Sequence, residues 1–513
     1  MFIKVCVEKN RYVDSVTLMD VREKAMKQPG IKIAEVQMGT PANLEIMRDI
    51  GFEIPEDVSC TDMLTGIIAD SEEAVKNVLD YINGLLDRTG ADVDGEERYS
   101  DLDEINFDET GYNLVQISLP GEYAAAEAKK AIQKGLDIFI FSDNVPLENE
   151  FSLKELGKEK GVLVMGPDCG VGLIDGVALA AGSIVRKGNI GIIGASGSGA
   201  QEVACIIEKC GFGVSQIIGT GGHDLFPEIG GITMLEGIKR LERDEETKVI
   251  TLVSKLADNA VMEKVLCYAD TVSKPIVAVF LGSSKDLFNG HKVRGAHSLE
   301  EAAEIAVELL CGEKHKYGYS DEQLQETAKQ EFAKLSPEQK YFRGLFCGGT
   351  FTEETLIYFS QNAKGNTLYS NLKNKYSVQL ADPEVSIGNS ILDLGAENFT
   401  ESLPHPVFDS RLRVKRLKKE LEDEQVAVVM LDFITGPGVD ADPITDLAAI
   451  CKQVNSGSRH ITFISSICGS LEDPQNVEEK AQLLRSSGVI VTGSNYQSAK
   501  LACMMMNMLA ERA

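Results

Sequence analysis

A short apolar run, Ile190-Gly191-Ile192-Ile193, enters Gly194-Ala195-Ser196-Gly197-Ser198-Gly199-Ala200 and then helical sequence. The first four N–H groups of a helix lack internal partners, and the macrodipole places roughly half a positive charge there. Glycine lets a backbone approach an anion closely, and Ser196 and Ser198 could add hydroxyl donors. Ser196, Gly197, Ser198 and Gly199 are therefore candidates for holding a phosphate or acyl phosphate. The turn lacks a dinucleotide fingerprint, and no Lys-Ser/Thr pair follows as in a Walker loop. The alternative is a tight βα turn that uses glycine for geometry alone.

Gly344-Leu345-Phe346-Cys347-Gly348-Gly349-Thr350-Phe351-Thr352-Glu353-Glu354 repeats the pattern, a strand meeting a Gly-Gly-Thr turn and a helix. Gly348, Gly349 and Thr350 form a second candidate anion turn. Thr350 or Thr352 could instead be a simple N-cap with Glu353 in the first turn. Cys347 would lie beside the helix end, which can depress a thiol pKa; a buried inert thiol is the other reading. Gly219-Thr220-Gly221-Gly222-His223-Asp224 is a third loop, in which Gly221 and Gly222 could touch substrate. His223 either packs that loop or acts in the site. No His-x-x-x-His or Cys-x-x-Cys spacing occurs, so no metal is expected.

These turns need parallel sheets beneath them. Apolar runs of four to six residues alternate with helical segments, as in strands buried on both faces of an α/β sheet. The expected organisation is an N-terminal α/β domain (1–87), an acidic linker (88–112) and an α/β domain (113–186). A second α/β domain (187–313), a charged helical connector (314–340) and a last α/β domain (341–513) follow. In the first domain we predict strands at 2–7, 31–37 and 64–69, with helices over 13–27 and 71–86. At 513 residues the chain exceeds a single core. A net charge of −28 disfavours nucleic acid and anionic membranes as partners. Eleven scattered cysteines, no leader-like amino terminus and no long apolar run predict a reduced, cytoplasmic protein.

From Asn113 to about Leu310 the sequence resembles the α subunit of succinyl-CoA synthetase. The matching pieces are Leu119-Pro120-Gly121, Phe141-Ser142-Asp143-Asn144-Val145-Pro146, Met165-Gly166-Pro167-Asp168-Cys169 and the two glycine-rich turns at 194 and 219. From Gly344 onward it resembles the carboxy-terminal domain of that enzyme's β subunit, with strands at Ile391-Leu392-Asp393-Leu394-Gly395 and Val428-Val429-Met430-Leu431-Asp432. The order of these pieces, with His405-Pro406-Val407-Phe408-Asp409, looks like the FdrA family.

The resemblance implies several doubly wound Rossmann-like and flavodoxin-like domains without an ATP-grasp domain. It implies two helices aimed at one phosphate site, and a possible CoA-type loop at Pro120, Asn144 and Pro167. The synthetase's phosphohistidine loop is missing: Gly295-Ala296-His297 is at best a remnant, and His291 lies nearby. Lys255 stands where the synthetase has a glutamate that orients the histidine. A desolvated lysine at that place would neutralise a phosphate directly. The family link is to oxamate carbamoyltransferase of allantoin degradation, which interconverts carbamoyl phosphate and oxamate with oxalurate and phosphate. This implies Lys255 as the catalytic cation, Asp409 and Asp432 as substrate-positioning groups or plain loop and cap aspartates, and partner subunits. No cofactor is required, with CoA possible. An acyl-CoA synthetase subunit and a non-catalytic CoA- or anion-binding scaffold are the rival expectations.

Overall fold

The computed structural model describes residues 2–11, 13, 15–88, 99, 101–255, 257–400 and 404–512. Most of the expected linker, residues 89–98 and 100, lies outside the described residues, as does Leu256 beside Lys255. The chain divides into two compact units, Met1–Glu104 with Glu397–Pro404, and Ile105–Ala396 with His405–Ala513.

In the first unit the strands Phe2–Glu8, Ile31–Met38 and Met63–Ala69 form an antiparallel sheet with Met63–Ala69 in the centre. Helices Ser15–Met26 and Glu72–Arg88 bury Leu18, Val21, Val78 and Ile82 together. Helix Pro41–Ile50 joins a separate cluster through Leu44 and Met47, with Phe52 just after its end. That helix is absent from the sequence reading, although its ends are marked. Thr40 caps it by accepting from Asn43 N at 3.4 Å, Pro41 occupies its first turn, and Gly51 closes it at φ 104°.

The second unit contains three sheets. Leu114–Ile117, Asp137–Ile140 and Val164–Met165 make a small parallel sheet. A seven-stranded sheet runs in the order Arg294–Ala296, Ile276–Phe280, Val249–Ser254, Lys187–Gly194, Val214–Gly219, Val171–Ile174, Val177–Ala180. Its first five strands are parallel. The last two form a hairpin that pairs antiparallel with Val214–Gly219, so residues 171–180 complete this sheet rather than the preceding one. The other seven-stranded sheet is parallel throughout, with Tyr341–Phe346 between Asn389–Asp393 and Val426–Ile434. The connector is a shorter helix than its charge pattern suggested, Asp321–Phe332, begun by a capping box of Ser320 and Gln323.

The two large sheets share one apolar core. Val203 and Ile207 of helix Gly197–Lys209, Phe351 and Leu356 of helix Gly349–Asn362, and Leu501 and Met505 of helix Asn495–Arg512 all belong to it. Each such side chain contributes about 1.5–3 kcal/mol when fully buried. Among the described residues no helix is long and apolar enough to cross a membrane.

Candidate functional site

Both glycine-rich turns leave a strand at which sheet order reverses. Lys187–Gly194 feeds helix Gly197–Lys209 and lies between the two strands that follow it in sequence. Tyr341–Phe346 feeds helix Gly349–Asn362 and is likewise flanked on both sides by later strands. Connections diverge to opposite faces at such a strand and leave a crevice at its carboxyl end.

The two helix starts meet there. Ser196 Oγ accepts from Gly199 N at 3.1 Å and lies 2.5 Å from Thr350 Oγ1. Both hydroxyls are buried. Gly199 permits this approach, because a Cβ there would stand 2.8 Å from Ser196 Oγ and 3.2 Å from Thr350 Cγ2. The Ser196 hydroxyl, expected as an anion donor, instead caps its own helix and, with the Thr350 hydroxyl, joins the two helix ends to each other. What faces the crevice is the half-exposed Gly197, Ser198 and Gly349.

For Asp432 the cap alternative applies. It is fully buried and caps the second helix from the next strand, accepting from Cys347 N and Gly348 N at 2.8 Å each. Arg413 Nη2 holds it at 3.2 Å. Burial, with Asp432 beside it, pushes the Cys347 thiol well above its ordinary pKa, so the inert reading applies. Asp409 engages Arg411 Nε at 2.9 Å at the entry to helix Arg411–Glu420.

Lys255 directly follows strand Val249–Ser254. It is exposed rather than desolvated, and among the described residues it has no ion-pair partner within 4 Å. Its Nζ is 3.3 Å from the point where a Cβ on Gly349 would stand, and Asp393 Oδ2 is 2.8 Å from the same point. Burial pushes Asp393 up to about 6, against the pull of Lys255 and of Gly395 N. Asp168 reaches solvent yet is ringed by protein, and that desolvation raises its carboxyl despite Lys255 and His223. His223 is raised chiefly by its contact with Glu150 at 3.2 Å.

The third loop is clamped from beneath. Buried Lys154 reaches Thr220 O, Asp224 and Glu150 at 2.8 Å each, and Asp224 caps helix Ile232–Arg243. Gly221, at φ 82°, lies against Pro167: a Cβ there would be 2.2 Å from Pro167 O. Gly222 faces Asp168 Oδ2 at 3.4 Å on the same measure. Pro120 caps the helix beginning at Gly121, and a Cβ on Gly121 would strike Asp143 O and Asn144. Pro120 and Asn144 thus share the carboxyl end of the small sheet.

The histidines separate clearly. His291 pairs with Asp270 at 2.7 Å, at the end of helix Asn259–Ala269 that precedes strand Ile276–Phe280. It therefore stands at the amino-terminal end of the strands, opposite the helix starts. His297 is exposed after the outermost strand. His405 Nδ1 accepts from Val407 N at 3.2 Å, which places the proton on Nε2, and burial lowers its pKa to about 4. Its Nε2 comes 2.3 Å from a Cβ built on Gly395, beside Asp393. Asp393, Asp168 and His405 are site residues that the sequence reading quoted only as family motifs. For Asp393 the available signal was an aspartate ending the strand Asn389-Ser390-Ile391-Leu392-Asp393. Among the described residues no group of three or more His, Cys, Asp or Glu is placed to hold a metal ion.

Three family models match parts of the chain: "AllF, heavy metal-associated domain" over residues 1–100, "CoA binding domain" over 185–282, and "CoA-ligase" over 345–505. The uncharacterized protein YahF of Escherichia coli (strain K12) is 37% identical over 508 residues, 98% of this chain and 98% of YahF. The alpha 1 polypeptide of the ADP-forming succinate–CoA ligase of Archaeoglobus fulgidus is 29% identical over 216 residues, 40% of this chain and 72% of that polypeptide. PH0766 from Pyrococcus horikoshii OT3 covers 82% of this chain and 88% of its own, at 16% identity and a TM-score of 0.34.

Proposed function

The chain belongs to the family of YahF, with succinyl-CoA synthetase-like domains, and from that premise we propose that it is an FdrA-type subunit of an ATP-independent carbamoyltransferase. Carbamoyl phosphate is the donor and a small carboxylate, oxamate, the acceptor. The observation that carries this reading is the meeting of two helix starts beside the ammonium of Lys255, which has no ion-pair partner among the described residues. The phosphate would sit against the N–H groups of Gly197, Ser198 and Gly349, with Lys255 neutralising charge as phosphate departs. Each helix end supplies about 0.3–1 kcal/mol when exposed and up to about 2 when partly buried. His223, whose pKa Glu150 raises, would face the acceptor carboxylate on the Asp168 side.

No cofactor is needed for this transfer. If CoA binds, the Pro120, Asn144 and Pro167 loops would take it, with the exposed Leu119, Tyr123, Leu147 and Phe151 beside them. We place the protein in the cytoplasm within a hetero-oligomer, its net charge unsuited to nucleic acid or anionic membranes. The test is phosphate release from carbamoyl phosphate plus oxamate by the chain with its co-purifying partners. Robust CoA-ester formation in the absence of that release would overturn the reading.

The CoA-ligase and CoA binding domain matches favour a second reading, an acyl-CoA synthetase subunit whose ATP-binding domain resides on another chain. It requires a phosphorylated histidine during turnover. An acid-labile phosphate on His291 or His297 would decide for it.

A further inference from the structure

Asp393 ends the strand Asn389–Asp393 beside the second switch point. Asn371 pins its backbone from both sides, accepting from Asp393 N and donating to Asp393 O at 2.9 Å each. Its Oδ1 accepts from Gly395 N at 2.9 Å. Among the described residues Oδ2 has no hydrogen-bond donor, and it borders the space above Gly349 that Lys255 Nζ approaches from the other side. Any larger residue at 349 would fill that space. The charged and titratable groups facing Asp393 are Lys255, Asp432 from strand Val426–Ile434, Cys347 from the turn, Glu353 from the Gly349 helix and His405 beside Gly395. Lys255 favours the ionised carboxyl, whereas burial, Asp432 and Glu353 favour the protonated one. Both forms are therefore accessible near neutrality.

We propose that Asp393 carries a proton from the attacking nitrogen of the acceptor to the departing phosphate oxygen. This rests on the carbamoyl-transfer reading. There the acceptor's N–H nitrogen forms a bond to the carbamoyl carbon, and the bond from that carbon to the phosphate oxygen breaks with its electron pair on oxygen. The nitrogen must lose one proton and the phosphate must gain one, so the count closes without solvent. Asp393 Oδ2 receives the first and delivers the second, which makes the acceptor an N–H compound such as the amide of a small dicarboxylate. A thiol acceptor, which can react as its thiolate, does not need the first transfer.

The test compares the chain and its co-purifying partners as wild type, Asp393→Asn and Asp393→Glu, with carbamoyl phosphate and oxamate across pH. In Asp393→Asn we expect kcat to fall ~10²–10⁴-fold, the pH limb near 6 to disappear, and calorimetric affinity for inorganic phosphate to stay within about threefold, because a helix-end site does not require this carboxyl. Asp393→Glu should restore part of the rate with a displaced limb. An active wild type whose Asp393→Asn variant keeps both rate and limb overturns the proton-carrier role and leaves carbamoyl transfer standing. An independent readout is ¹³C-carboxyl NMR of aspartate-labelled chain. The signal missing in Asp393→Asn should titrate near 6 and move upward when inorganic phosphate is added. A phosphate-linked titration in a wild type without carbamoyl transfer overturns the transfer reading instead.

Discussion

Lys255 has no ion-pair partner within 4 Å among the described residues, although Asp393 and Asp168 feel its charge, and it stands where two helix starts converge. An exposed ammonium is screened by salt, so its effect on an anion depends on ionic strength. Lys255→Met should weaken inorganic phosphate binding about tenfold at low salt, or ~1.4 kcal/mol, and by less at ~1 M salt. Calorimetric titration at the two salt levels checks this. Equal affinity in both proteins at low salt would remove Lys255 from the anion site. The residue scale also explains why motif reading left two roles open for Asp432. An aspartate at a strand end can serve solvent, substrate or a neighbouring helix, and here two backbone N–H groups and Arg413 take it entirely.

At the scale of elements, the N-cap of the first helix also joins it to the second. Ser196→Ala removes the cap of Gly199 N and leaves Thr350 without its partner hydroxyl. Capping loss alone costs typically about 1 kcal/mol; the stranded buried hydroxyl adds ~1–3 kcal/mol. Chemical denaturation should register the sum, while Ser196→Thr, which keeps the cap oxygen, should recover most of it. Helix Gly349–Asn362 also buries Glu354, which accepts from Leu299 N at 2.9 Å and Asn495 Nδ2 at 2.8 Å. Burial pushes this carboxyl up to about 7, with Glu202 and Glu300 adding to the effect. The folded chain then keeps a proton that the unfolded chain sheds above 4.5. Stability from this group is therefore full below 4.5 and declines as pH rises to about 7, by roughly 3 kcal/mol at about 1.4 kcal/mol per pKa unit. Glu354→Gln should flatten the fall in urea midpoint between about pH 5 and 8. Asn495 Oδ1, which lacks a hydrogen-bond partner among the described residues, can turn to accept from the new amide.

For the whole molecule, the decisive feature is the core shared by the two large sheets. Met505 of the C-terminal helix belongs to it and is fully buried. Met505→Ala should cost about 2–5 kcal/mol. Hydrogen exchange in strands Lys187–Gly194 and Tyr341–Phe346 should accelerate together, since neither sheet keeps its covering without the other. Protection lost from Tyr341–Phe346 alone would show two independent cores. The inner strands of both large sheets were legible in sequence where buried parallel strands are written as apolar runs, such as Ile190–Ile193 and Val426–Leu431; the short outer strands Arg294–Ala296, Leu368–Ser370 and Val378–Gln379 were not. The hairpin Val171–Ala180 was not, since a four-residue strand paired at a sheet edge carries too little pattern. The helix starts at Ser196 and Gly348 were written locally, in glycine and serine spacing, and the sequence alone determined that the chain presents two of them. That they face each other was decided only by the fold, because the Ser196–Thr350 contact spans 154 residues. The same holds for the roles of Asp393, Asp432 and Lys255. A carboxylate or an ammonium takes its function from burial and from the charges brought near it, and those are properties of the packed chain.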